Sequence, residues 1–225
     1  MRVGGDQPGG SDGGIPVTLR VALVLFVFGV AALVVASLVI LLRPVAAPSP
    51  THDLSRPIRT AVVLVPIGDF PGERTTAIRD RVAADYHVPI TVAAPIPQDP
   101  SMIDPRTGQL VAESVVSRLG NWHPEWQDRI LVIGLTAADL AIAGRPDWRF
   151  AFSFRDSDGL AVVSSARLRV GVDNGEDARW RRFDKMVVRA VAFLYFGLKP
   201  VSDPKDMLYD SILRAGDIDR IADYL

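Results

Sequence analysis

Residues 176–200 read EDARWRRFDKMVVRAVAFLYFGLKP and predict a long helix with little room for solvent around it. Apolar side chains form one face at helical spacing and extend to other sides; the face comprises Phe183, Val187, Ala190, Val191, Leu194 and Leu198, and the other sides Met186, Phe193 and Phe196. Asp177 is a candidate cap for its start, Gly197 for its end, and Pro200 prevents continuation. A helix this apolar is expected at the centre of a domain.

Three apolar runs precede this helix and predict strands. The first is continuously apolar from Ala61 to Val65, which is typical of a strand covered on both faces; the second is ended by prolines, and the third is expected to be buried. They lie within residues 58–68 (IRTAVVLVPIG), 88–97 (VPITVAAPIP) and 128–136 (DRILVIGLT). Residues 148–168 predict a β-hairpin that turns at Asp156 to Gly159.

Two amphipathic helices are predicted between the strands. Residues 73–86 place Ile78, Val82 and Tyr86 on one stripe, and residues 109–120 end at Gly120. Thr136 is a candidate cap for a further helix. Strands that alternate with helices indicate a layered α/β domain.

An uncharged apolar segment lies near the amino end, VALVLFVFGVAALVVASLVILL, at residues 21–42. About 20 such residues suffice to cross a bilayer, and a cleaved signal peptide, the alternative, has a shorter apolar region. We therefore predict a disordered tail (1–19), a transmembrane helix (20–43), a proline-rich spacer (44–57) and an α/β domain (58–225). Basic residues nearly balance across the span, so orientation stays open, with the domain expected outside the cytoplasm.

Composition excludes several classes of function. The chain has no cysteine and a formal charge of -1. Disulfides, thiolate metal sites and thiol nucleophiles are therefore excluded, and nucleic-acid binding and cofactors are not expected. The three histidines, His52, His87 and His123, show no metal-ligand spacing. The basic residues near the start of the long helix (Arg179, Arg181, Arg182 and Lys185) are interpreted as its solvated opening, with binding of an acidic partner as the alternative.

The order of these segments resembles the archaemetzincins, a family of zinc metallopeptidases in the metzincin clan. The likeness rests on VPIG (65–68), DPRTGQLVAESVVSRL (104–119), LVIGLTAADL (131–140), a hairpin that ends VVSSARL (162–168), and the apolar helix with its Phe-Gly-Leu end. It covers roughly residues 60–220. The resemblance implies a metzincin-like mixed sheet with a central buried helix.

In that family the helix carries His-Glu-x-x-His-x-x-Gly-x-x-His, which supplies three zinc ligands and a general base. Alignment on Gly197 places the ligands at Ala190, Leu194 and Pro200 and the general base at Val191. None of these side chains has a donor atom for zinc or can accept a proton. The resemblance therefore implies a degenerate site without metal and a protein that is not an enzyme.

The Met-turn that follows in the family corresponds to Met207, one residue short of the usual spacing, and the family's cysteines are missing. We predict a membrane-anchored pseudoenzyme that binds a protein or peptide, with Arg106, Tyr195, Trp122 and Trp126 as candidate contacts. A structural subunit of a membrane complex and, third, a hydrolase with a relocated site remain alternatives. Neither the partner nor the oligomeric state follows from the sequence.

Overall fold

A computed structural model describes residues 52–122, 129–169 and 175–225. The predicted tail and transmembrane helix, most of the predicted spacer, His123 and Trp126 lie outside these residues. Across the three described ranges, no helix has the length and apolarity needed to span a bilayer. The end of the predicted spacer contacts the domain, since His52 Nε2 lies 3.0 Å from Asp206 Oδ1 and Leu54 packs against the core.

The strands of the described chain are β1 (Ala61–Ile67), β2 (Ile90–Val92), β3 (Leu110–Val111), β4 (Ile130–Thr136), β5 (Leu140–Ala141), β6 (Ser153–Arg155) and β7 (Leu160–Ser164). The helices are α1 (Gly72–Tyr86), α2 (Ala112–Trp122), α3 (Glu176–Leu194) and α4 (Ala215–Arg220), with a short 3-10 turn at Pro100–Met102.

The main sheet has the strand order β2-β1-β4-β7-β6. All neighbouring pairs are parallel except β6 with β7, which forms the predicted antiparallel hairpin. A small parallel sheet joins β3 to β5. The fold is thus α/β with a mixed, mainly parallel sheet, which confirms the predicted fold class for the domain.

Apolar side chains cover both faces of the sheet because successive residues of a strand point to opposite sides. In β1, Val62 and Leu64 belong to the core shared with α1 and α3. Val63 and Val65 belong to the core on the other face, which contains α2. The uninterrupted apolar run in β1 reflects this double burial.

The central helix α3 is buried along most of its length, as predicted. Its N-cap residue is Gly175 rather than Asp177, and no side chain caps the amino end of the helix. Beyond Leu194 the chain turns at Gly197, whose φ of +69° favours glycine, and Leu198 N donates to Ala192 O at 3.0 Å.

The segment before β1 is fixed to the carboxyl end of α3. Ile58 N donates to Tyr195 O at 2.8 Å, and Arg59 Nε donates to Leu194 O at 2.9 Å. Chain entry into the sheet and the end of the central helix are therefore joined by hydrogen bonds.

The basic start of α3 is less solvated than the sequence indicates. Arg182 and Lys185 are buried: Arg182 forms a bidentate ion pair with Asp219, and Lys185 Nζ donates to Ile218 O and Ile221 O. The interpretation of a solvated opening is wrong for these two residues, which instead tie α4 to the central helix.

Two local predictions are also wrong. Thr136 caps no helix: its Oγ1 accepts Ala138 N at 3.1 Å in a turn that leads to β5. Gly120 does not end α2, which continues to Trp122, and Val111 lies in β3 rather than on the helix.

Candidate functional site

The four positions that the family motif would fill have no metal-binding geometry here. Ala190 and Val191 are 2% and 0% exposed and belong to the core. Leu194 is half-buried and Pro200 is exposed, so the four side chains do not converge on one solvent-filled space. Ala190 and Val191 are therefore sealed by packing rather than open to a cleft.

Met207 lies against the same helix. Its side chain is 1% exposed, and its carbonyl oxygen accepts a hydrogen bond from Arg189 Nη1. The structure thus brings Met207 and α3 together.

The residues present do not fit the zinc ion that this fold implies. Alanine, leucine and proline side chains have no lone pair for zinc, and Val191 has no carboxylate. Throughout the described ranges, no group of three His, Cys, Asp or Glu side chains could hold a metal ion. His52 contacts Asp206, and His87 ends α1 with a positive φ of 53°. We therefore derive no chemistry through a metal.

A cavity of about 510 Å³ opens between the edge of the sheet and α3. We call it the edge cavity; it is lined by residues 148–155, by Met186 and Arg189 of α3, and by Asp210, Ile212 and Leu213. Trp148 and Leu213 at this cavity are 44% and 65% exposed, which is unusual for large apolar side chains. The edge cavity therefore combines apolar walls with a few charged groups, the usual composition of a binding site.

Strand β6 borders the edge cavity and is the last strand of its sheet. Ser164 N donates to Phe152 O at 2.9 Å, and Asp156 N donates to Leu160 O at 3.0 Å. Hydrogen-bonded pairs alternate in antiparallel sheets, so Ser153 and Arg155 direct their N–H and C=O groups away from β7. These groups are positioned to pair with another extended chain.

Two arginines that no sequence motif indicates line the edge cavity, Arg155 from β6 and Arg189 from α3. Arg189 is 3% exposed, and Arg155 is exposed. Their guanidinium carbons lie 5.3 and 4.0 Å from the centroid of the Phe193 ring. A single charge within the apolar run MVVRAVAF is the sequence signal that could have found Arg189, since such a charge needs a partner or a function.

The predicted contact residues lie in different places. Arg106 is exposed and lines a second cavity of about 630 Å³, together with residues of the β5–β6 connection. Tyr195 is 4% exposed and packs edge-on against Phe196, so its side chain offers no surface to a partner, contrary to the prediction. Trp122 is partly buried against the second core, and Trp126 lies outside the described residues.

Comparison with solved structures defines the class of fold as that of archaemetzincin-like zinc-dependent peptidases. A zinc-dependent peptidase from Methanocorpusculum labreanum superposes with a TM-score of 0.60 at 20% identity, over 73% of this chain and 95% of that chain. Archaemetzincin from Methanopyrus kandleri gives a TM-score of 0.58 at 21% identity, over 73% and 88% of the two chains.

Archaemetzincin from Archaeoglobus fulgidus, solved with malonate, gives a TM-score of 0.59 at 16% identity, over 72% of this chain and 94% of that chain. The predicted resemblance is thereby confirmed, and at these identities it establishes the fold alone. Searches against protein families and against curated proteins find no match.

Proposed function

We propose that this chain is a membrane-anchored, non-catalytic relative of the zinc metallopeptidases that binds an extended peptide segment along β6 without cutting it. The observation that carries the proposal is the free edge of β6 beside the edge cavity, next to a helix whose aligned motif positions have no metal-binding side chains. Backbone pairing with an edge strand needs no metal, so peptide binding can persist where hydrolysis cannot.

The membrane anchor in this proposal rests on residues 21–42, whose apolar length suffices to span the hydrocarbon. The domain is proposed to lie outside the cytoplasm. Attachment would restrict the protein to peptide segments presented near the membrane surface.

Metal analysis of the purified full chain tests the non-catalytic part. We expect no stoichiometric zinc after dialysis and no cleavage of a quenched fluorescent peptide library, because the four motif positions have no zinc donor or base. Bound zinc at one equivalent, together with cleavage that a chelator abolishes, would show an active hydrolase with a relocated site.

Replacement of Ser153 by proline tests binding along β6. The Ser153 N–H points away from β7, so proline removes a donor for the incoming peptide and none from the sheet. We expect the best binder from a random octapeptide library to bind the full chain about tenfold more weakly after Ser153→Pro, and the unfolding midpoint to change little.

Ser153→Ala is the matched control, because it removes the hydroxyl and keeps the N–H. Its peptide affinity is expected to stay within about twofold of the original. Equal binding by Ser153→Pro, or no binder from the library at all, would contradict binding along this edge.

A further inference from the structure

Two positively charged side chains that line the edge cavity contact the same aromatic ring, that of Phe193. Arg155 approaches the Phe193 ring to 4.0 Å and Arg189 to 5.3 Å, measured from each guanidinium carbon to the ring centroid. Both side chains line the edge cavity, one from β6 and one from α3. The strand proposed to bind peptide and the central helix therefore bring like charges to the same place.

Neither guanidinium forms an ion pair with a carboxylate in the described part of the chain. Arg189 donates through Nη1 to Met207 O, but its buried Nε has no hydrogen-bond partner in that part. Arg155 forms no ion pair with any described carboxylate. A buried cation with an unpaired donor is costly, so its retention favours a role in binding.

The carboxylates near the two arginines hydrogen-bond to other groups. Asp210 lines the edge cavity, and its Oδ1 accepts the Ser211 hydroxyl at 2.8 Å. Asp206 Oδ1 accepts Leu208 N at 2.7 Å and also contacts His52. Both carboxylates keep their charge and stabilise the Arg189 cation from a distance, but their hydrogen bonds go to other donors and neither forms an ion pair with Arg155 or Arg189.

The titration of Arg189 agrees with this geometry. Burial, and next the positive charge of Arg155, lower the pKa of Arg189 to about 10, while nearby Asp210 and Asp206 raise it. Arg189 therefore remains charged at neutral pH. An anion bound by both guanidinium groups would offset the desolvation penalty of the buried charge and the repulsion between the two cations.

We infer that the edge cavity binds a carboxylate carried by an apolar or aromatic group, held between the guanidinium groups of Arg155 and Arg189. The inference rests on the proposed function and adds the chemistry of its ligand. A carboxylate suits the planar, charged donors of arginine. Trp148 and Leu213 at this cavity suit an apolar neighbour.

Small probes test the carboxylate site without strand pairing. Ligand-observed NMR on the full chain compares N-acetylphenylalanine with N-acetylphenylalanine amide. We expect the carboxylate to bind at least about tenfold more tightly, because it alone accepts charge-assisted hydrogen bonds from arginine.

Arg155→Gln should reduce this preference to within about threefold, and Arg155→Lys should restore part of it through charge. The control is Arg74→Gln, since Arg74 also stacks on an aromatic ring, 4.8 Å from the centroid of Trp180, but neither residue lines the edge cavity. It removes the same charge and should leave the preference unchanged. Arg155 is exposed, so its replacement leaves the core intact.

Peptides distinguish the source of the carboxylate. Three acetylated hexapeptides of alternating valine and threonine are compared: one with a free terminal carboxylate, one amidated, and one amidated with an internal glutamate. Preference for the first peptide would identify the bound carboxylate as a chain terminus, and preference for the third would identify it as an acidic side chain. Either result supports the inference.

Failures of the two proposals have different signatures. Library peptides that bind with no preference for carboxylate, in a way that Arg155→Gln leaves unchanged, would overturn the carboxylate site while strand pairing stands. Binding of N-acetylphenylalanine with no peptide binder would overturn strand pairing while the carboxylate site stands. Absence of both would overturn both.

Discussion

Replacement of Phe183 by alanine should lower the free energy of unfolding by about 3–5 kcal/mol, the range for large-to-small changes at aromatic core positions. Phe183 is 1% exposed, and its ring centroid lies 5.2 Å from that of Phe70 and 5.7 Å from that of Trp180. Alanine would leave a cavity between α3 and the segment before α1. Chemical denaturation of the purified chain, followed by circular dichroism, measures the change.

Leu213→Ala provides the control for that measurement. Leu213 is 65% exposed, so its truncation should change the free energy of unfolding by no more than about 0.5 kcal/mol. A loss below about 1 kcal/mol for Phe183→Ala would show that the central helix is not where the structure places it.

Introduction of the family's glutamate at Val191 should unfold or severely destabilise the domain at neutral pH. Val191 is 0% exposed, so an ionised carboxylate there would be buried without a partner, at a cost of several kcal/mol. Glutamine has nearly the same shape as glutamate and no charge, so Val191→Gln should be less destabilised than Val191→Glu. The difference between the unfolding free energies of the two variants measures the cost of burying the charge.

That difference should depend on pH. Burial raises the pKa of a carboxyl in the folded state above its unfolded value of about 4.3. The charge penalty is therefore absent below the unfolded pKa, grows as pH rises between the two values, and is constant above the folded pKa. Equal stability of the two variants at pH 7 and pH 5 would show that Val191 faces solvent and that the old cleft is open.

Much of the fold could be predicted from local patterns. The run at β1 is apolar at every residue from Ala61 to Val65 because both faces of its sheet are covered, and this was visible without tertiary contacts. The long helix was equally clear, since few solvent-exposed helices carry apolar residues on so many sides. Gly197 marked its end because the chain there needs a positive φ.

The errors arose where distant segments determine the outcome. A helix after Thr136 was a reasonable prediction, but β5 pairs there with β3, some 30 residues earlier in the chain, as the partners Leu110 and Leu140 show. The burial of Arg182 and Lys185 depends on Asp219 and on carbonyl groups at Ile218 and Ile221, far along the chain. Hydrophobic periodicity contains no information about such partners.

The edge cavity and its two arginines could not be predicted from the sequence. Sequence showed that Ala190, Val191, Leu194 and Pro200 have no metal-binding atoms, but it gave no reason to expect that Arg155 and Arg189 meet at Phe193. That meeting requires the hairpin to lie over the central helix. Tyr195 was selected for its place beside the motif, and helix geometry instead turns it inward.

The hydrogen bonds from Ile58 and Arg59 to the end of α3 determine how the domain would respond to mechanical load. A pull on the chain from its amino-terminal side would reach Leu194 and Tyr195 before it reached β1. Tension would then act on the scaffold beneath the edge cavity rather than on a peripheral strand. Tension on the chain before Ile58 and the shape of the edge cavity would thereby be mechanically coupled.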